Sequence, residues 1–141
     1  MKSCLVDVNV WMALTAADHP HHQAAVAWFE GADFQYCWFC RVSQMGFLRL
    51  LTRAPGGMTS AEAMGVYRNL LELPNIRYSM EPLGLDEQWL RLVPSRPSGS
   101  TWTDSYLAAF AMLQGLRFIT FDRGFRQFVG LDLQLLDHRL T

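Results

Sequence analysis

The stretch Ser3-Cys4-Leu5-Val6-Asp7-Val8-Asn9-Val10-Trp11-Met12-Ala13-Leu14-Thr15 decides the fold. Its first part is a short apolar run closed by an acid, as expected of a strand buried on both faces. A helical segment then begins at Asn9 and runs to Thr15. The pattern returns near the other end of the chain. There Phe118-Ile119-Thr120-Phe121 is apolar, closes on Asp122 and leads into a short helix.

Between these two runs, strands alternate with helices. A second helix is predicted to start near Asp18 to Pro20, with Pro suited to a first turn, and to stop at Gly31. A second strand is expected from about Gln35 to Cys40. Ser43 is expected to cap the next helix, in which Phe47, Leu48, Leu50 and Leu51 repeat at helical spacing. Thr59 and Glu62 form a capping box for a helix presenting Met64, Tyr67, Leu70 and Leu71. Asn75 to Ser79 reads as a short strand. Asp86 is expected to cap a helix carrying Trp89, Leu90 and Val93. Thr103 is expected to cap one carrying Tyr106, Leu107, Phe110 and Leu113, ending before Gly115. A last strand falls at about Leu133 to Leu136. Ala54-Pro-Gly-Gly and the segment from Pro94 to Ser100 read as loops within one domain spanning residues 1–141. The fold class is α/β, with a parallel sheet covered on both faces.

Composition limits the function classes. Half of the 141 residues are hydrophobic and 13% are aromatic, which suits a packed core and excludes intrinsic disorder. The net charge of −1 is not the strongly basic balance of a typical nucleic-acid binder. Lys2 is the only lysine, so Arg carries nearly all the positive charge. No apolar run reaches the roughly 18 residues needed to span a bilayer. No signal-peptide pattern opens the chain, so a reducing, cytoplasmic setting is expected. The odd cysteine count, Cys4, Cys37 and Cys40, agrees with that. Cys37 and Cys40 form a C-x-x-C, but inside a run that reads as a buried strand. His19, His21 and His22 match no zinc spacing and read as a solvated approach to a helix.

Three acids stand where a parallel sheet gathers ligands, beyond the carboxyl ends of its strands. Asp7 and Asp122 each close a strand. Asp104 sits in the first turn of a helix, just inside the expected cap at Thr103. Any one of them has a structural explanation as a cap or turn residue. Together they would repel unless a proton or cation intervened. Oxygen-only ligands suit Mg²⁺ or Mn²⁺, which also bind phosphate oxygens.

Four short motifs carry a family resemblance. Leu5-Val-Asp7-Val-Asn9-Val-Trp-Met-Ala-Leu, Ser43-Gln-Met-Gly-Phe-Leu-Arg-Leu-Leu, Trp102-Thr-Asp104-Ser-Tyr-Leu-Ala-Ala-Phe-Ala and Thr120-Phe-Asp122-Arg-Gly-Phe resemble, in order, the motifs of PIN domains. Asp18-His-Pro-His-His is similar to the corresponding segment of many VapC-type toxins. The resemblance implies a three-layer α/β/α sandwich around a mainly parallel sheet of about five strands. It implies a Mg²⁺- or Mn²⁺-dependent endoribonuclease, the toxin half of a type II toxin–antitoxin pair. It further implies a homodimer, a small VapB-type antitoxin partner, and RNA products with 5′-phosphate and 3′-hydroxyl ends. The metal ligands it carries over are Asp7, Asp104 and Asp122. Asn9, Thr103, Thr120 and Arg123 are implied as contacts to substrate or to those ligands.

One position departs from the family pattern. The second motif usually carries Glu, and this chain is read as having Gln44 there. A carboxamide is neutral, so weaker metal binding is expected, and Gln44→Glu is expected to tighten it. The same feature motivates an alternative, a catalytically weakened PIN-like module that binds RNA or protein. A phosphatase with Asp7 as nucleophile is a further rival, but it would want an acid two residues on, where Asn9 stands. Arg41, Arg49, Arg53, Arg123 and Arg126 lie near the motifs and are candidate phosphate contacts.

Overall fold

The computed structural model describes residues 2–53 and 55–137. Ala54 of the expected loop and His138 lie outside the described residues. Five strands form one sheet: β1 (Cys4–Val6), β2 (Cys37–Phe39), β3 (Ile76–Tyr78), β4 (Arg117–Thr120) and β5 (Leu133–Leu135). Their order is β3-β2-β1-β4-β5 and every pairing is parallel. The expected fold class and strand count are therefore observed.

Side chains alternate across the sheet, and both faces are covered. Cys4 and Val6 face one layer, formed by α1 (Val8–Thr15), α2 (His22–Gly31), α3 (Arg41–Leu51) and α4 (Ser60–Leu71). Trp11 stacks on Phe39 there, with ring centroids 4.1 Å apart. Leu5 and Phe118 face the other layer, formed by α5 (Leu85–Leu92) and α6 (Thr101–Gln114). Double coverage is why β1 is buried throughout and reads as a continuous apolar run. Cys37 and Cys40 are buried free thiols, and Cys40 contacts the Ser43 hydroxyl.

Strand order places the site. The chain runs outward from β1 to β2 and β3, then returns to add β4 and β5 on the opposite side. β1 and β4 therefore flank the point where the winding reverses, the crevice at which such sheets hold ligands. Register pairs Val6 with Ile119. The next residues, Asp7 just past β1 and Thr120 at the end of β4, stand side by side.

Three caps differ from expectation. Ser43 is not the cap of α3 but its third residue; Cys40 holds the cap position, and its backbone N–H donates to Ser43 Oγ. Gly84, in the left-handed region at φ 82°, precedes α5, so Asp86 lies inside the first turn. Helix α6 begins at Thr101 after Ser100. Gly99, at φ 55°, supplies the turn that lets α6 start two residues before Thr103. The Thr59–Glu62 capping box forms as expected.

Candidate active site

Asp7 caps α1. Its Oδ1 accepts from the Val8 backbone N–H at 2.7 Å, and its Oδ2 accepts from the Thr120 hydroxyl at 2.6 Å. The carboxyl is buried, and burial pushes its pKa up to about 6. The two hydrogen bonds pull it down, and the charges of Asp104 and Asp122 push it further up. Asp7 therefore feels the charge of both other acids.

Asp104 lies one turn into α6, half-buried, with its Oδ2 accepting from the Ser100 hydroxyl at 3.1 Å. Its pKa is raised by burial and by the charge of Asp122, against the bond from Ser100. Asp122 is exposed and begins a 3-10 turn over Arg123–Gln127, its Oδ1 accepting from Gly124 N–H at 2.8 Å. Among the described residues none of the three acids has a cationic partner; the ion pairs found are Lys2–Asp132 and Arg117–Asp132.

Thr120 joins the parts. Its hydroxyl donates to Asp7 and accepts from Asn9 Nδ2 at 3.2 Å and from Asp122 N–H at 3.0 Å. The other end of the Asn9 amide accepts from Phe121 N–H at 3.3 Å. Both expected residues are therefore present, and both are spent on fixing β4 against α1. Thr103 lies beside Asp104 on the wall of a cleft of about 480 Å³ that also contains Asp7. Arg123 instead faces a separate cavity with Arg126 and Leu135.

Gln44 lies on a different face of α3 from the residues that line the acid cleft. Its side chain is buried, accepts from the Arg41 guanidinium, and lies beside the Tyr67 side chain of α4. The α3 residues that line the acid cleft are Val42, Met45, Gly46, Arg49 and Leu50. Helix geometry explains the difference: positions 44 and 46 point roughly 160° apart at 3.6 residues per turn. Gln44 shares its stripe with Phe47 and Leu51, both buried. Arg41 is also directed elsewhere, stacking over Tyr78.

The histidines are less solvated than expected. Each is partly buried; His21 packs on Phe121 at 5.0 Å between ring centroids, and His22 Nδ1 contacts the Ala13 carbonyl at 2.7 Å. Met45, Gly46 and Ser100 are site residues that the sequence reading missed. Ser100 had a signal, since it stands four residues before Asp104 on a helical spacing.

The donor set is all oxygen and anionic, which fits a hard divalent cation. Among the described residues no three His, Cys, Asp or Glu side chains close into a metal cage. An open set of acids suits an ion that keeps several waters and takes only one or two carboxylates.

The PIN domain family profile matches residues 4–131. The chain is 38% identical to Ribonuclease VapC41 of Mycobacterium tuberculosis, covering 94% of this chain and 97% of that protein. It is 31% identical to Ribonuclease VapC44 of the same organism, covering 84% and 85%. In structure it is similar to Mycobacterium tuberculosis VapC20, described as a Sarcin-Ricin loop cleaving toxin, with a TM-score of 0.66, 21% identity and coverage of 91% and 98%. VapBC-1 of nontypeable Haemophilus influenzae gives a TM-score of 0.64 at 15% identity, covering 94% and 97%.

Proposed function

The chain belongs to the PIN domain family, and from that premise we infer that it is a VapC-type endoribonuclease, the toxin of a toxin–antitoxin pair. The observation that carries this reading is the trio Asp7, Asp104 and Asp122 near the reversal point of a parallel sheet, none of them in an ion pair among the described residues. Relatives named as ribonucleases at up to 38% identity support it.

Asp7, Asp104 and Asp122 are the residues that would hold the cation, Mg²⁺ or Mn²⁺. When bound, it supplies Lewis acidity toward the phosphodiester and the attacking water. The chain's own work is orientation. Thr120 and Val8 N–H lock the Asp7 carboxylate, Ser100 holds Asp104, and Gly124 N–H holds Asp122. Asn9 ties the end of β4 to α1, so the ligands keep their spacing. No side-chain nucleophile is required: water attacks phosphorus, and the ribose 3′-oxygen leaves as the 3′-hydroxyl. The 5′-phosphate stays on the downstream fragment.

Cleavage of RNA with mapped ends, in Mg²⁺, Mn²⁺ and EDTA, tests this reading. The expected result is metal-dependent cleavage with 5′-phosphate products, abolished in Asp7→Asn and Asp104→Asn. Unchanged cleavage in those variants would exclude the site. The binding-module alternative, motivated by Gln44, predicts instead RNA binding without cleavage in either metal.

A small VapB-type antitoxin and a second copy of the chain are the expected protein partners. The similarity to a VapBC assembly supports the first. Among the described residues no helix is long and apolar enough to cross a membrane; action in the cytoplasm is the corresponding proposal.

A further inference from the structure

The acid cleft has a second wall that metal chemistry does not require. Helix α3 presents Val42, Met45 and Leu50 to it. Met45 is 50% exposed and Leu50 37% exposed, although the opposite stripe of the helix, with Phe47 and Leu51, already supplies the core. Single exposed apolar residues need no explanation. Three apolar side chains of one helix lining the same cavity of about 480 Å³ as two carboxylates do, because that combination marks a ligand pocket.

Gly46 brings the two walls together. A Cβ there would stand 3.0 Å from Val8 Cγ2, so α3 lies tight against the start of α1, directly after Asp7. Gly46 also projects no side chain into the cleft. Arg49 stands on the same helix face.

We propose that the α3 wall is a nucleobase subsite: one unpaired base next to the scissile phosphodiester packs against Val42, Met45 and Leu50. This rests on the ribonuclease reading and deepens it. A substrate that presents a phosphodiester to Asp7 and Asp104 must bring the attached nucleoside with it, and the apolar wall is what that nucleoside meets. A base has flat apolar faces, and methionine adapts to aromatic surfaces. The three wall residues offer no polar side chain to read base edges, so the contact is tolerant of base identity. A base can reach the wall only when unstacked, as in single strands and loops. Arg49 is placed to meet a neighbouring phosphate.

The test uses the full chain and a single-stranded oligoribonucleotide with one cleavage site. Matched oligomers carry an abasic nucleotide on the 5′ or the 3′ side of that bond. For the intact oligomer, Met45→Ala and Leu50→Ser, each checked for a native circular dichroism spectrum, are expected to lower kcat/KM about tenfold, mainly through KM. For one of the two abasic oligomers, wild type already shows the reduced value and the variants lose nothing further. Binding in EDTA, read by fluorescence anisotropy, should show the same split without turnover. Equal losses on intact and abasic oligomers, or no loss on either, would overturn the subsite and leave the ribonuclease reading standing. The second of these is the result expected if the wall instead receives an apolar segment of a partner protein. Failure of the wild type to cleave any RNA with either metal would overturn both.

Discussion

The two ends of the β1–β4 pair carry opposite electrostatics. At the amino end, Asp132 sits between Lys2 at 2.6 Å and Arg117 at 3.3 Å, and these cations hold its pKa below the usual carboxylate value. At the carboxyl end, Asp7 is buried with no cationic partner among the described residues, and its pKa rises to about 6. One acid is neutralised within the chain, and the other is held only by neutral hydrogen-bond donors. An acid's cationic partner, more than its residue type, separates a structural carboxylate from a functional one.

The largest effect that tests this contrast is catalytic. Asp104→Asn and Asp7→Asn should each lower RNA cleavage by at least about 100-fold, while Asp132→Asn leaves it unchanged. A variant at Asp132 that is equally inactive would erase the distinction between the two ends.

Stability should follow with opposite signs. Asp7 has a raised folded pKa, so its neutral form is favoured by folding. Its contribution is complete below about pH 4 and is lost as pH rises through about 6. Metal-free Asp7→Asn should therefore be more stable than wild type at pH 7, by on the order of 2 kcal/mol, since Asn also caps helices. Added Mg²⁺ should raise Tm in wild type and much less in the variant. A variant that is less stable than the metal-free wild type at pH 7 would contradict the burial assigned to this carboxyl.

A smaller effect is expected at position 44. If place rather than charge count defines the acid end, Gln44→Glu adds a carboxylate on the wrong side of α3. It should leave Mg²⁺ affinity unchanged in a calorimetric titration and change stability by less than about 1 kcal/mol, since the new carboxylate meets the Arg41 guanidinium. Tighter metal binding would return Gln44 to the site. The smallest effect belongs to the paired end. Asp132→Asn should cost less than about 1 kcal/mol, because both ion pairs are partly exposed, and the cost should shrink in high salt. Asp132 has a lowered folded pKa. Its contribution is present above the ordinary value of 3.8 and lost as pH falls through the folded value.

The fold was legible because burial on both faces leaves uninterrupted apolar runs, and an acid stands at or just beyond the end of β1 and of β4. Asp104 was legible by the same logic at a helix start, although Ser100, and not Thr103, begins that helix. Gln44 is picked out by motif order, which carries no facing: positions 44, 47 and 51 form one stripe, and Phe47 and Leu51 belong to the core. The apolar wall was invisible for a different reason. Leu50 counts in an apolar helical repeat and Val42 and Met45 stand out for nothing, and only the tight approach of α3 at Gly46 shows that they border the cleft. The Arg residues near the motifs carried no directional signal, since a long exposed side chain takes its place from packing.

Asp7 ends a strand, starts a helix and supplies the charge of the site with the same two oxygens. Loss of function is therefore not equally open along every mutational route. A lineage freed from selection on cleavage can drift to Asn at this position and keep the start of α1, whereas drift to Ala or Val removes the cap and exposes the chain to proteolysis. Silenced descendants of such a chain should be found with Asn where the acid stood, folded and still able to occupy a partner.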